Sequence, residues 1–287
     1  PGHLITDNQY SIFLEQGSNE LKIQCLKILK RNTREALINS IINSLSNNAI
    51  HNYTERTLLN YPKTTIIEKF NHYLTDLNIN NNLKEGILRT IHNYNSKKAL
   101  HLSLMILDND DIKLVNEASN ALIKISKIYL IDEKTLKQID NKIFYFAEKA
   151  YELHQLKNKI KNNSKATLIN DHIENDLNYI IQILLKLGTL KDPDIPIETY
   201  IRYIKSKNLE LLPLVIELID STFTNKNKQV TLPLIDSDFN ISDSVKTLFP
   251  NIDNSIDYFL IKWIKSNDQW KKIISIQYLL KKEDSTV

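Results

Sequence analysis

Between residues 206 and 236 the apolar side chains recur with a helical period. Leu212, Val215, Ile216 and Ile219 fall at i, i+3, i+4 and i+7, and Leu211, Leu214 and Leu218 form a second row beside them. A helix that is apolar on two sides is expected to be sandwiched between other helices. Asn208 stands where a cap is needed, residues 221–227 form a polar break, and Pro233 ends a short helix that follows.

The same period runs through most of the chain. Ser18 is placed to cap a helix with Leu21, Cys25, Ile28 and Leu29 on one face, and Thr33 opens another with Leu37, Ile38, Ile41, Ile42 and Leu45. After the Tyr61-Pro62 break come Ile67, Phe70, Leu74 and Leu77, and then Asn82-x-x-Glu85, which reads as a capping box before Ile87, Leu88 and Ile91. Ser96 leads Leu100, Leu104 and Leu107. The acidic turn of residues 108–111 leads Leu114, Ala118, Ala121, Leu122 and Ile125. A longer helix is predicted from Leu136 through Ile143, Phe144, Ala147 and Tyr151 to Leu156. Asp171 is predicted to cap one with Ile173, Leu177, Ile180, Ile181, Leu184 and Leu187, which ends at a glycine of the C′ type, Gly188. Pro193 and Pro196 mark a turn before Ile197, Tyr200, Ile201 and Ile204. Residues 236–250 read as irregular, Ser255 leads Ile256, Phe259, Leu260 and Trp263, and Asp268 caps the last helix. No segment alternates as a strand would, so the expected class is all-α.

Four segments, starting at Leu14, Leu107, Ile204 and Ile264, share one layout: an aliphatic helix end, a short polar turn, then a new helix. Aligned without gaps, they bring Cys25, Ala118, Val215 and Ser275 into one column, with Leu29, Leu122, Ile219 and Leu279 four residues on. A small residue where helices approach, and a large one a turn later, suits stacked hairpins. Self-similarity of this kind predicts an α-solenoid of helical hairpins. Three parts are expected: repeats over residues 4–156 ending in a long helix, a flexible polar loop over 157–166 that includes Lys157, Lys159, Lys161 and Lys165, and further repeats over 167–287 of the same solenoid.

With these residues the chain resembles a HEAT-repeat module, most closely the cytoplasmic HEAT region of bacterial membrane proteins. In those proteins the transporter portion is similar to ATP/ADP translocases or major-facilitator carriers. The resemblance rests on V-I-E-L-I-D-S at 215–221 followed by L-P-L-I-D at 232–236, on the long helix I-D-N-K-I-F-Y-F-A-E-K-A-Y-E-L at 139–153, and on S-N-D-Q-W-K-K-I-I-S-I-Q-Y-L at 266–279. The arginine that such repeats carry three residues before the small position is replaced by Lys22, Val115, Leu212 and Lys272. The resemblance implies a non-catalytic scaffold or protein-binding module, cytoplasmic, at the inner face of a membrane as part of a larger protein. Its partners would be another protein or neighbouring domains of the same polypeptide, and an anionic membrane surface besides.

Composition narrows the chemistry. Four glycines in 287 residues leave little for phosphate-cradling loops, and GxGxxG, P-loop and GxSxG patterns are absent. The net charge of +3, from 37 basic and 34 acidic side chains, is low for a protein whose main task is to grip nucleic acid, which makes nucleic acid the less favoured partner. The single Cys25, on an apolar helix face, is expected to be a packed thiol in a reducing compartment. The opening Pro1-Gly2-His3 lacks a methionine and reads as a remnant of recombinant expression, so the chain is expected to be one piece of a longer protein.

The seven histidines make no HExxH motif, and the nearest pair, His92 and His101, falls on different helices. Asp108, Asn109, Asp110 and Asp111 lack the glycine and distal glutamate of a calcium loop and read as a turn and helix cap. Lys157, Lys159, Lys161 and Lys165, with Lys271, Lys272, Lys281 and Lys282, read as solvated charge that could also meet lipid headgroups or nucleic acid. Trp263, Asp268 and Trp270 form the one group with a chemical alternative, a helical-repeat DNA glycosylase that holds a base on tryptophan and stabilises a cation with a carboxylate. Core packing for Trp263 and capping for Asp268 explain the group, and the glycosylase is the weaker alternative. The expectation is therefore no enzyme, no catalytic, cofactor-binding or metal-binding residue, and no cofactor.

Overall fold

A computed structural model describes residues 5–161, 166–206, 208–236, 240–250, 252, 255–266 and 268–283. Among the described residues the chain is all-α: sixteen α-helices joined by short turns and 3₁₀ segments, with no strand. No helix among them is long and apolar enough to cross a membrane.

The helices fall into two compact units. One comprises residues 1–107 and 120–129, the other residues 108–119 and 130–287. In the first unit are α1 (Asp7–Gln16), α2 (Asn19–Arg31), α3 (Ile38–Asn43), α4 (His51–Leu58), α5 (Lys63–Thr75), α6 (Asn81–Ile91) and α7 (Lys97–Ile106). Helix α8 (Ile112–Ser126) contributes its first half to the second unit and its second half to the first. The second unit continues with α9 (Glu133–Ile160), α10 (Thr167–Gly188), α11 (Ile197–Ser206), α12 (Leu212–Thr222), α13 (Asn225–Thr231), α14 (Ile241–Leu248), α15 (Ile256–Lys265) and α16 (Gln269–Glu283).

In the first unit the caps are local and strong. The Thr6 hydroxyl accepts from the backbone N–H of Gln9 while the Gln9 side chain accepts from the N–H of Thr6, a reciprocal cap that starts α1. Ser18 and Ser96 cap α2 and α7 as their positions predict. Helix α6 is capped two residues early, by Asn80 accepting from the Asn82 N–H, so the expected Asn82–Glu85 box is not its start. The buried face of α2 is Cys25, Leu26 and Leu29, whereas Leu21 and Ile28 point outward. The helix expected after Thr33 is broken into 3₁₀ turns around the short α3, but Leu37, Ile38, Ile41, Ile42 and Leu45 are all buried as predicted. Leu77 lies beyond the end of α5 and is 88% exposed. Helix α6 presses on the Leu45 turn so closely that a β-carbon at Gly86 would overlap the Leu45 carbonyl oxygen. Only glycine permits that approach.

The second unit is gathered around α9, about 42 Å long for 28 residues. Helix α10 lies along it, and α13, α14 and α15 also pack on it. Phe249 stacks obliquely on Phe144 and Tyr151 of α9, and the buried Tyr151 hydroxyl donates to the Val230 carbonyl. Burial pushes the Tyr151 phenol above its ordinary pKa, so it stays a donor. Helix α9 begins at Asp132, whose carboxylate accepts from the Thr135 N–H, and runs on through Lys157 to the buried Ile160. The expected polar loop therefore starts later than residue 157, and residues 162–165, Lys165 included, lie outside the described residues. Helix α10 starts at Thr167, so Asp171 lies inside it and is not its cap. Helix α14 occupies part of the stretch predicted to be irregular.

Helix α12 is not sandwiched as its two apolar rows predict. Asn208 accepts from the Glu210 N–H and starts a 3₁₀ turn, and α12 then buries Val215, Leu218 and Ile219. Leu214 is exposed and Leu211, Leu212 and Ile216 are half-buried, so α12 is covered on one side only. The residues aligned at the small position, Cys25, Ala118, Val215 and Ser275, are all buried. That is the inward row of an amphipathic helix in each case.

Candidate functional site

In the second unit a cleft of about 340 Å³ opens between α9, α10, the α15–α16 pair and the start of α8. Helical spacing places its side chains. Lys149, Glu152 and Leu153 lie at i, i+3 and i+4 on α9, Phe259, Lys262, Trp263 and Ser266 at i, i+3, i+4 and i+7 along and just past α15, and Asp176 and Ile180 one turn apart on α10. Ile112, Leu153, Ile180, Phe259 and Trp263 make an apolar floor, and each is buried.

Two lysines form ion pairs on the walls. Lys271 Nζ lies 2.9 Å from Asp176 Oδ2, both largely buried, and 3.9 Å from Asp268 Oδ2. Lys262 Nζ lies 2.7 Å from Glu152 Oε2. Burial would lower the Lys262 pKa, but the hydrogen bond and charge of Glu152 outweigh it and hold the ammonium above its ordinary value. His172 meets the Trp263 ring edge to face at 5.4 Å, and its buried Nε2 stands 3.6 Å from Asp176 Oδ2, beyond hydrogen-bond length. Burial pulls the His172 pKa down, Asp176 opposes that, and Lys271 adds to it. The Lys271 ammonium also lies 5.8 Å from the Trp263 ring centroid. The cleft thus pairs a buried indole with neutralised carboxylates.

Of the residues singled out in the sequence, Trp263, Asp268 and Trp270, only Trp263 lines the cleft. It is only 6% exposed. Asp268 is occupied as a cap, its Oδ1 accepting from the N–H groups of Trp270 and Lys271. Trp270 points outward. The acidic residues that share the cleft with Trp263 are Asp110, Glu152 and, most deeply buried, Asp176, which no sequence motif marks. Its signal was faint: one acid on the inner side of an apolar helix, at i+4 from His172. The turn acids act as predicted at one position, Asp111 accepting from the N–H groups of Lys113 and Leu114, while Asp108 pairs with Lys142. Of the lysines, Lys157 pairs with Glu174 at 2.7 Å and Lys271 is turned into the cleft. The side chains of Lys281 and Lys282 lie outside the description. Among the described residues no group of three or more His, Cys, Asp or Glu side chains is placed to hold a metal ion. Cys25 is a buried free thiol, and burial raises its pKa.

Comparison with protein-family models, with curated proteins and with solved structures finds no match to the chain.

Proposed function

We propose that the chain is a non-catalytic scaffold of HEAT-like helical hairpins that holds a protein partner, in the cytoplasm and as part of a larger membrane-associated assembly. The observation that supports this reading is the outer side of the α15–α16 pair. Phe259, Leu260, Trp263, Ile274 and Tyr278 are buried on its inner side, yet Ile261, Trp270, Ile273, Ile276 and Leu280 stand roughly half exposed. On α16, Ile273, Ile276 and Leu280 fall at i, i+3 and i+7, one continuous stripe. Clustered large apolar side chains on an exposed helix face mark a surface that another protein covers. A photo-cross-linking residue at position 273 or 276, expressed in the native cells, is expected to give one discrete protein adduct that Leu280→Glu suppresses. An adduct pattern no different from that of a control at the exposed Glu133 would end the proposal.

A second reading, base excision from DNA, is favoured by one observation: Trp263 and the Asp176 carboxylate line the same cleft. An aromatic wall and an acid are what a flipped base with developing positive charge needs. Against it, Lys271 already neutralises Asp176 at 2.9 Å. The test is release of alkylated purines from DNA. The scaffold reading predicts none, and release that is lost in Asp176→Asn while folding persists would establish the enzyme.

A further inference from the structure

The charges of the residues that line the cleft do not cancel. Four lysines line it, Lys149, Lys262, Lys265 and Lys271, against three acidic residues, Asp110, Glu152 and Asp176. Two of the carboxylates are taken up within the walls by Lys262 and Lys271, at 2.7 and 2.9 Å. That leaves two lysines at the opening, on different helices, against the exposed Asp110. Lys149 lies over the Tyr145 ring at 4.5 Å from its centroid, and Lys265 stands exposed at the end of α15. Beneath them the floor is apolar and aromatic. Its volume of about 340 Å³ falls in the range of sites for small organic ligands.

We propose that this cleft binds a small aromatic monoanion, its ring against Trp263 and Phe259 and its carboxylate between Lys149 and Lys265. The ring replaces water over apolar floor, which a hydrophilic anion could not do. The carboxylate finds two lysines that face a single exposed carboxylate, Asp110, an excess of one positive charge that a cation of the same shape could not use. The inference goes beyond the scaffold reading and does not rest on it, because the stripe on α16 is formed by other side chains.

The test uses three probes of matched ring: 2-naphthoate, naphthalene and 2-naphthylmethylammonium. The two tryptophans are told apart in the nitrogen-15 spectrum by Trp270→Phe, and the Trp263 indole N–H reports on the cleft. Naphthoate is expected to shift the Trp263 signal and leave Trp270 in place, with affinity at least about tenfold above the other two probes. Lys149→Gln and Lys265→Gln are each expected to weaken naphthoate about threefold with melting unchanged, since both ammoniums are partly solvated. A preference for the ammonium probe would overturn the proposal and support the base-excising reading. No shift at Trp263, a shift at Trp270 instead, or lysine variants that bind as the parent does would also overturn it. The cross-linking result on α16 is independent of all of these.

Discussion

The ring of Phe223 occupies the space where Gly188 would carry a β-carbon. Gly188 is the last residue of α10, followed by Thr189 at the cap, and Phe223 is the buried residue just past α12. The glycine is there for close approach and not for a left-handed C′ conformation, as its position alone suggested. Gly188→Ala is expected to destabilise the protein by about 1–3 kcal/mol in urea unfolding, as overpacking does. Phe223→Leu in the same chain should recover part of that loss, because the obstacle is a side chain. At Gly86 the obstacle is the Leu45 backbone carbonyl, so Gly86→Ala should cost at least as much, with no such rescue. Equal melting of Gly188→Ala and the parent would contradict the packing described.

The two faces of α12 should respond differently to charge. Ile219 is fully buried and Leu214 is exposed. Ile219→Asp is expected to cost several kcal/mol, since it buries an unpaired carboxylate, whereas Leu214→Asp should stay within about 0.5 kcal/mol. Comparable losses at both positions would restore the sandwiched helix that the sequence pattern suggests.

Lys186 is 2% exposed on α10, and its ammonium donates to Asn116 Oδ1 at 2.9 Å. Burial pulls its pKa down from 10.5 to about 8, with Glu198 and Glu117 opposing the shift. Between those two values the unfolded chain binds more protons than the folded one at this site, so its contribution to stability rises with pH across that window. The full difference corresponds to roughly 3 kcal/mol. Relative to Lys186→Met, the parent is expected to gain stability from about pH 8 to about pH 10.5 by up to that amount. Parallel pH profiles for the two proteins would show that the ammonium is not desolvated as described.

Trp263 and Asp268 separate packing from chemistry. Trp263→Ala is expected to lower stability by about 3–5 kcal/mol as a large-to-small core change. Asp268→Asn should leave stability nearly unchanged, because an amide oxygen also accepts from the N–H groups of Trp270 and Lys271, while Asp268→Ala should cost about 1 kcal/mol. Urea unfolding of the three variants checks all of this, and a large effect of Asp268→Asn would mean that the carboxylate charge has work beyond the cap.

Periodicity in the sequence determined that the chain is helical and which residues start several of its helices. Ser18, Ser96, Asp111, Ser255 and Asp268 cap helices as their positions predict, because a cap depends on neighbours two or three residues away. It also marked most of the inward row, including Cys25, Ala118, Val215 and Ser275. The tertiary structure alone decided which apolar rows are covered. Leu214 and Leu218 look alike in sequence, but only Leu218 is buried, and Leu21, Ile28 and Leu77 stand exposed although the same pattern placed them on inward faces. It decided that α9 and not α12 is the helix others gather on, through pairs as distant in sequence as Tyr151 with Val230. It also decided the site: Asp176 meets Lys271 and shares a cleft with Trp263 across stretches of chain that no local pattern relates. Caps and helical periods are written in adjacent residues, whereas coverage, close approach and the pairing of buried charge depend on which distant segments come to lie side by side.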